Sequence, residues 1–173
     1  IVFALILFVV ALIPRAMPHP VYTIDETMHW EVRSVAFRAA MQSGDHHNTA
    51  ITHHPGVMTM WLGWAGLTLE SVFNPIGEMA DGTRIQFIRV PAAIVNALGI
   101  ALAYLLLLRL FDPRLALLAG LLMALDPFLV AHGGILHIDA LTTTFGTLEL
   151  LLTMIGLQSE RSVPRWVWIG LAG

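Results

Sequence analysis

The sequence predicts an all-α, polytopic membrane protein, and three observations carry that expectation. Of its 173 residues 57% are hydrophobic and only 12% charged, where a soluble domain would carry about a quarter charged residues; the mean hydropathy is +0.75. Charge-free apolar runs recur at close to the 20 or so residues that a bilayer span needs. Polar residues are gathered either into short arginine-bearing turns or into one long excursion that holds most of the histidines. Every cation is an arginine and the formal net charge is −3, which leaves no basic face for nucleic acid. With no cysteine the chain has no disulfide framework and no thiolate metal site.

Residues 1–14 read as the end of a first transmembrane helix: Ile1 to Ile13 is uncharged and apolar, and Pro14 with Arg15 marks the exit. The chain opens inside one apolar run and stops inside another, Trp166 to Gly173, so the expectation is a part of a longer polypeptide. Residues 15–86 form a long outer loop with interfacial helices. Residues 87–173 hold transmembrane helices two to four and the start of the fifth. Val90 to Leu108 is the second, Leu115 to Ala131 the third, interrupted at Asp126-Pro127, and Asp139 to Leu157 the fourth; Trp166 begins the fifth. Arg109, Arg114, Arg161 and Arg165 fall in the two short turns on one side, which the positive-inside rule makes cytoplasmic. The long loop, the 132–138 loop and all eight histidines then face outward, towards the periplasm if the membrane is the cell inner membrane.

Within the long loop, Thr27, Glu31, Ser34, Arg38 and Gln42 recur at helical spacing, and Met28, Val32, Val35, Ala36 and Ala39 share another face. That pattern predicts an amphipathic helix lying on the membrane, its apolar face in the lipid. Val57 to Phe73 is apolar but short and diluted by Gly63, Gly66 and Glu70, so it is expected to be interfacial or re-entrant.

The chemistry concentrates in Tyr22 to Gly56 and around Asp139. Asp25 and Glu26 are adjacent acids at a membrane exit. Thr23 with Glu26 fits a capping box, a structural role compatible with a catalytic one because a capped acid is also a fixed one. Asp139 heads a stripe of Asp139, Thr142, Gly146, Glu149 and Thr153 that is expected to turn away from lipid and pack on other helices. His46-His47 and His53-His54 offer imidazoles for a divalent metal, but adjacent histidines point apart and no helical His pair backs a site. Trp61, Trp64, Trp166 and Trp168 read as interface anchors.

The order of these motifs resembles the GT-C membrane glycosyltransferases. His53-His54-Pro55-Gly56, then Arg89-Val90-Pro91 opening a span, Leu125-Asp126-Pro127-Phe128 closing the next, and Leu136-His137-Ile138-Asp139-Ala140-Leu141 are similar to the bacterial protein O-mannosyltransferases of glycosyltransferase family 39, related to the aminoarabinose transferases of lipid A. The resemblance implies a GT-C-like transmembrane bundle that transfers a sugar, with inversion, from a polyprenyl-phosphate donor to a protein or glycolipid acceptor on the outer face. It maps the catalytic base onto Asp25 with Glu26 beside it, and a further catalytic acid onto Asp139. His54, Arg89 and His137 become candidate substrate-binding residues, Arg89 for the donor phosphate. No cofactor is implied beyond the lipid-linked sugar, and a divalent metal stays an open role. The competing expectation is a non-catalytic membrane subunit of this fold within a larger respiratory or photosynthetic complex.

Overall fold

The computed structural model describes residues 1–52, 56–75, 82–158 and 162–173, with the backbone alone at 162–164. Every regular element among the described residues is helical: α1 (Val2–Ala16), a π-helical turn (Glu26–Trp30) running directly into α2 (Glu31–Ser43), a short 3-10 turn (His46–Thr49), α3 (Val57–Phe73), α4 (Thr83–Leu110), α5 (Pro113–Leu125), α6 (Pro127–Gly133), α7 (Ile138–Gln158) and α8 (Ser162–Ala172). Among them α4 and α7 are long and apolar enough to cross a membrane; α5 and α6, bent by 57° at their junction, make a third span if taken as one. This is an all-α membrane bundle, as the composition predicts.

Helix α4 is the axis on which α1, α3, α5 and α7 pack. Its inner part is studded with small residues: Ala97, Ala103 and Ala116 of α5 meet Leu7 and Ala11 of α1 in a buried cluster that Tyr104 completes. Small side chains let helix backbones approach closely, which is the main source of packing energy where lipid is as apolar as leucine. The helix begins at Thr83, seven residues before the expected start at Val90, because the polar residues ahead of that point, Gln86 and Arg89, are satisfied by the outer loop rather than by water.

Close to the head of α4, α1 continues through Pro14 to Ala16. Arg15 does not mark an exit into water. It is 2% exposed, and its guanidinium donates to Ala11 O (2.8 Å) and, across the bundle, to Ala124 O (2.8 Å) and Met123 O (3.1 Å). Those are end carbonyls of α5, freed because Pro127 cannot continue the hydrogen-bond ladder. Asp126 accepts from Leu129 N (2.9 Å) and starts α6. The expected helix end at Asp126-Pro127 is therefore a capped break braced by a buried arginine.

The α2 face is turned as an interfacial helix requires, and the α7 face differently from expectation. In α2, Ser34 is buried, Thr27, Glu31 and Arg38 are half-buried, and Met28, Val32 and Val35 are exposed; the polar stripe faces the protein as far as Arg38, with Gln42 exposed, and the apolar face is left open, as contact with lipid would have it. Arg38 donates to Leu67 O of α3 (3.1 Å) and Ser34 to Trp30 O (2.7 Å), while Phe37 sits edge-on to Trp61 and Trp64. Burial raises the Glu31 pKa, opposed by Arg84 and reinforced by Glu70 and Glu26. In α7, the face that packs holds Ala140, Leu141, Leu151 and Ile155, locked by Thr144 Oγ1 donating to Asn96 Oδ1 of α4 (2.7 Å). That rotation leaves Thr142 and Glu149 exposed and nothing within 4 Å of a Cβ placed on Gly146. The Thr142–Gly146–Glu149 stripe is thus not a packing face among the described residues.

Candidate active site

The site is assembled where the segment after α1, residues 19–30, meets the 134–137 loop. Thr23 starts the helical segment with a reciprocal capping box: Glu26 N donates to Thr23 Oγ1 (3.2 Å), and Thr23 N (3.4 Å) and Oγ1 (3.2 Å) donate to Glu26 Oε2. The π-turn follows at once. A π-turn takes an extra residue per turn and re-aims the side chains that flank it; here Asp25 stays at the surface while Glu26 and Trp30 turn into the core.

Glu26 is 0% exposed and forms a bidentate pair with Arg89, which is 3% exposed, Nε to Oε1 and Nη2 to Oε2 both at 2.8 Å. Leu136 N also donates to Oε1 (3.0 Å). Arg89 spends its other hydrogens on His19 O (3.1 Å), Gln86 Oε1 (3.4 Å) and Val21 O (2.6 Å), with His19 Nδ1 at 3.2 Å. One buried ion pair thereby ties together the chain leaving α1, the π-turn, the head of α4 and the loop before α7. Burial alone would push the Glu26 carboxyl up; the Arg89 hydrogen bonds and charge, the Leu136 amide and Thr23 together outweigh it and hold the group below its ordinary value. The expectation that Arg89 grips a donor phosphate meets a guanidinium with every nitrogen engaged inside the protein.

Asp25 lies in different surroundings. Its side chain is 55% exposed, His137 Nε2 is 3.2 Å from Oδ2, and His29 Nε2 is 4.0 Å from Oδ1. His137 is also the cap of α7, its Nδ1 accepting from Asp139 N (3.2 Å). With Nδ1 an acceptor, the neutral ring carries its proton on Nε2 and donates it to Asp25. Asp139 Oδ2 lies 3.4 Å from the same Nδ1 and its side chain is 70% exposed. Asp25, His137 and Asp139, three candidates drawn from stretches more than a hundred residues apart, form one string at the mouth of the bundle. Trp30 backs it, edge-on to His137 at 6.4 Å between centroids. Beside it a cleft of about 190 Å³ runs from Asp139 and His132 down to Thr143, Thr147 and Arg15. Of the other candidates, His54 lies outside the described residues.

Among the described residues no group of three or more His, Cys, Asp or Glu side chains is gathered as a metal site; His46 and His47 sit exposed on the 3-10 turn, and His53 and His54 lie outside the described residues. What sequence reasoning missed is the bracing: Arg15 on α5, and the pairing of Glu26 with Arg89. The signal available for both was an arginine inside an otherwise apolar helix, which must find partners.

The comparisons agree with the motif order. A curated relative, the undecaprenyl phosphate-alpha-4-amino-4-deoxy-L-arabinose arabinosyl transferase of Pseudomonas aeruginosa (strain UCBPP-PA14), is 30% identical over 101 residues, which are 56% of this chain and 18% of the relative. The chain thus matches less than a fifth of that relative's length. No solved structure matches it. The sequence model of one protein family matches residues 53–173, a stretch that holds Arg89, His137 and Asp139 and begins after Asp25 and Glu26. Resting on that match, the chain belongs to the dolichyl-phosphate-mannose-protein mannosyltransferase family.

Proposed function

We propose that this protein transfers a sugar from a polyprenyl-phosphate donor to a hydroxyl of a protein or glycolipid acceptor, with inversion, at the outer face of the cell inner membrane, and that Asp25 is the general base. The observation that carries the reading is the contrast between two neighbouring carboxylates. Glu26 is buried and fully paired, whereas Asp25 is 55% exposed, with Oδ2 held by His137 and, among the described residues, Oδ1 making no hydrogen bond, its nearest ionisable neighbour being His29 Nε2 at 4.0 Å. A base must be fixed yet reachable, and of the two only Asp25 is both.

In this mechanism Oδ1 of Asp25 takes the proton of the acceptor hydroxyl. The acceptor oxygen forms its bond to the anomeric carbon from the face opposite the phosphate, the carbon–oxygen bond to the phosphate breaks, and polyprenyl phosphate departs with that electron pair. A lipid phosphate is already a good leaving group, so the enzyme's work is alignment and deprotonation. His137 orients Asp25, the backbone amide of Asp139 keeps the imidazole in its donating tautomer, and Glu26 with Arg89 holds the loops that carry them. The relative named above, by its name, acts on an undecaprenyl-phosphate sugar, in keeping with a lipid-linked donor here.

The test is Asp25→Asn in the purified full-length protein, supplied with lipid-linked sugars. Loss of a general base costs about 10²–10⁴ in rate, whereas Asp25 makes no backbone cap, so thermal unfolding should stay within about 0.5 kcal/mol of wild type. Near-normal transfer by a well-folded Asp25→Asn protein would remove Asp25 from the mechanism. Wild-type protein inactive with every donor, yet copurifying in fixed ratio with a larger membrane complex, would favour a subunit instead.

A further inference from the structure

Glu149 is the twelfth residue of the 21-residue α7. Ten residues beyond Asp139, at about 1.5 Å per residue, it lies about 15 Å below the outer end, half the depth of a hydrocarbon core about 30 Å thick. It is exposed and makes no hydrogen bond or ion pair to any described residue. It opens into a groove of about 600 Å³ between the start of α3, one face of α7 and the end of α8. The walls are apolar, with Met58, Phe145, Leu148 and Leu171 among them; the polar exceptions are Glu149, Thr142 and Thr59. Thr59 is a second, independent sign: it is fully buried and its hydroxyl has no partner among the described residues.

An acid at that depth is costly unless something covers and pairs it. A lipid tail offers no hydrogen-bond donor. Water does not stably fill a groove with walls this apolar. A second copy of these residues brings no described arginine to that depth either, because those arginines sit at the helix ends or, like Arg89 and Arg15, are engaged internally. A helix does fit: Thr142, Gly146 and Glu149 lie on one line along α7, and a small residue with open space above it is what close helix approach requires. The matched relative is more than five times as long as the matched stretch, so the family's architecture has further chain to draw upon.

We propose that this groove seats another transmembrane helix of the same polypeptide, and that this helix presents a side-chain donor (Arg, Lys, His, Asn or Gln) to Glu149. The inference does not depend on the catalytic assignment.

The experiment is site-specific photo-crosslinking in the full-length protein in native membranes. A benzophenone amino acid replaces Phe145, in the groove, or Leu150, which is exposed on the other side of α7. Position 145 should crosslink within the polypeptide, to a peptide from a transmembrane helix bearing one of those donors, and position 150 should not reach that peptide. Glu149→Leu should lower the yield by roughly fivefold or more, and Glu149→Gln, which still bonds, by less than about twofold. Should Glu149→Leu fail to elute as a folded monodisperse species, Gly146→Leu serves in its place. No described residue meets a Cβ there, so a lost crosslink reports the covering helix. Crosslinks from 145 to a separate protein, to a second copy or to lipid alone would overturn the proposal, as would a yield indifferent to both variants.

Discussion

Glu26 and Asp25 are neighbours in the chain with opposite electrostatic fates, and that divergence gives the residue-scale prediction. Removing one partner of a buried ion pair leaves the other charge uncompensated, at a cost of about 3–5 kcal/mol. Glu26→Gln should therefore act mainly on folding, lowering thermal stability by that order. Adding Arg89→Met should recover part of the loss, since an apolar pair of similar size leaves no orphaned charge. Acid titration checks the same residue. The folded-state pKa of Glu26 lies below its ordinary value of 4.5, so its contribution is complete above pH 4.5 and disappears as pH falls through the lowered value. Unfolding scans below pH 4.5 should be less pH-dependent in Glu26→Gln than in wild type; an identical slope would mean that the pair does not form. At this scale the sequence was legible where acids are scarce: Asp25, Asp139 and His137 stood out in an oily chain, and the structure gathers all three. The pairing of Glu26 with Arg89 was not legible, because 63 residues and two helices separate them and nothing local in either stretch names the other.

Helices were easier to place than to orient. Their existence follows from apolar run length, and α4, α5 and α7 appear where the runs do. Their rotation depends on a few contacts that no periodicity reports. The Asn96–Thr144 bond sets α7, and Arg38 reaching the Leu67 carbonyl, with Phe37 against two tryptophans, sets α2 with its polar stripe inward. Seating α3 on α4 depends on a glycine. A Cβ on Gly66 would strike the backbone of Ile88, with Phe87 O at 2.6 Å and Ile88 N at 2.9 Å, and backbone cannot move aside as a flexible side chain can. Gly66→Ala should cost about 1–3 kcal/mol, the usual penalty of overpacking and more than its gain in helix propensity. Thermal unfolding in detergent measures it, and a neutral result would mean that α3 lies elsewhere.

For the molecule as a whole, the two ends of the bundle differ in chemistry, and the difference gives a testable expectation of its orientation. Leu136 and His137 contact Glu26 and Asp25, so the first outer segment and the loop before α7 share one end. At the opposite end Arg109 lies 5.9 Å from the Trp168 ring of α8, and Gly156 of α7 abuts Arg165 O. Arg109 and Arg165, one from each short turn, therefore lie at the same end, which the positive-inside rule predicts to be cytoplasmic. Asn48, exposed on the 3-10 turn, and Asp112, in the α4–α5 turn, report the two sides. With no cysteine in these residues, Asn48→Cys and Asp112→Cys each introduce a single thiol here. Asp112 caps α5 by accepting from Arg114 N and Leu115 N, and losing that cap costs about 1 kcal/mol, too little to invert a membrane protein. A membrane-impermeant maleimide added to intact cells should label position 48, and should label position 112 only after the membrane is opened. The reverse pattern would put Asp25, His137 and Asp139 in the cytoplasm, and a sugar transferred there would reach a different set of acceptors from those of the outer face.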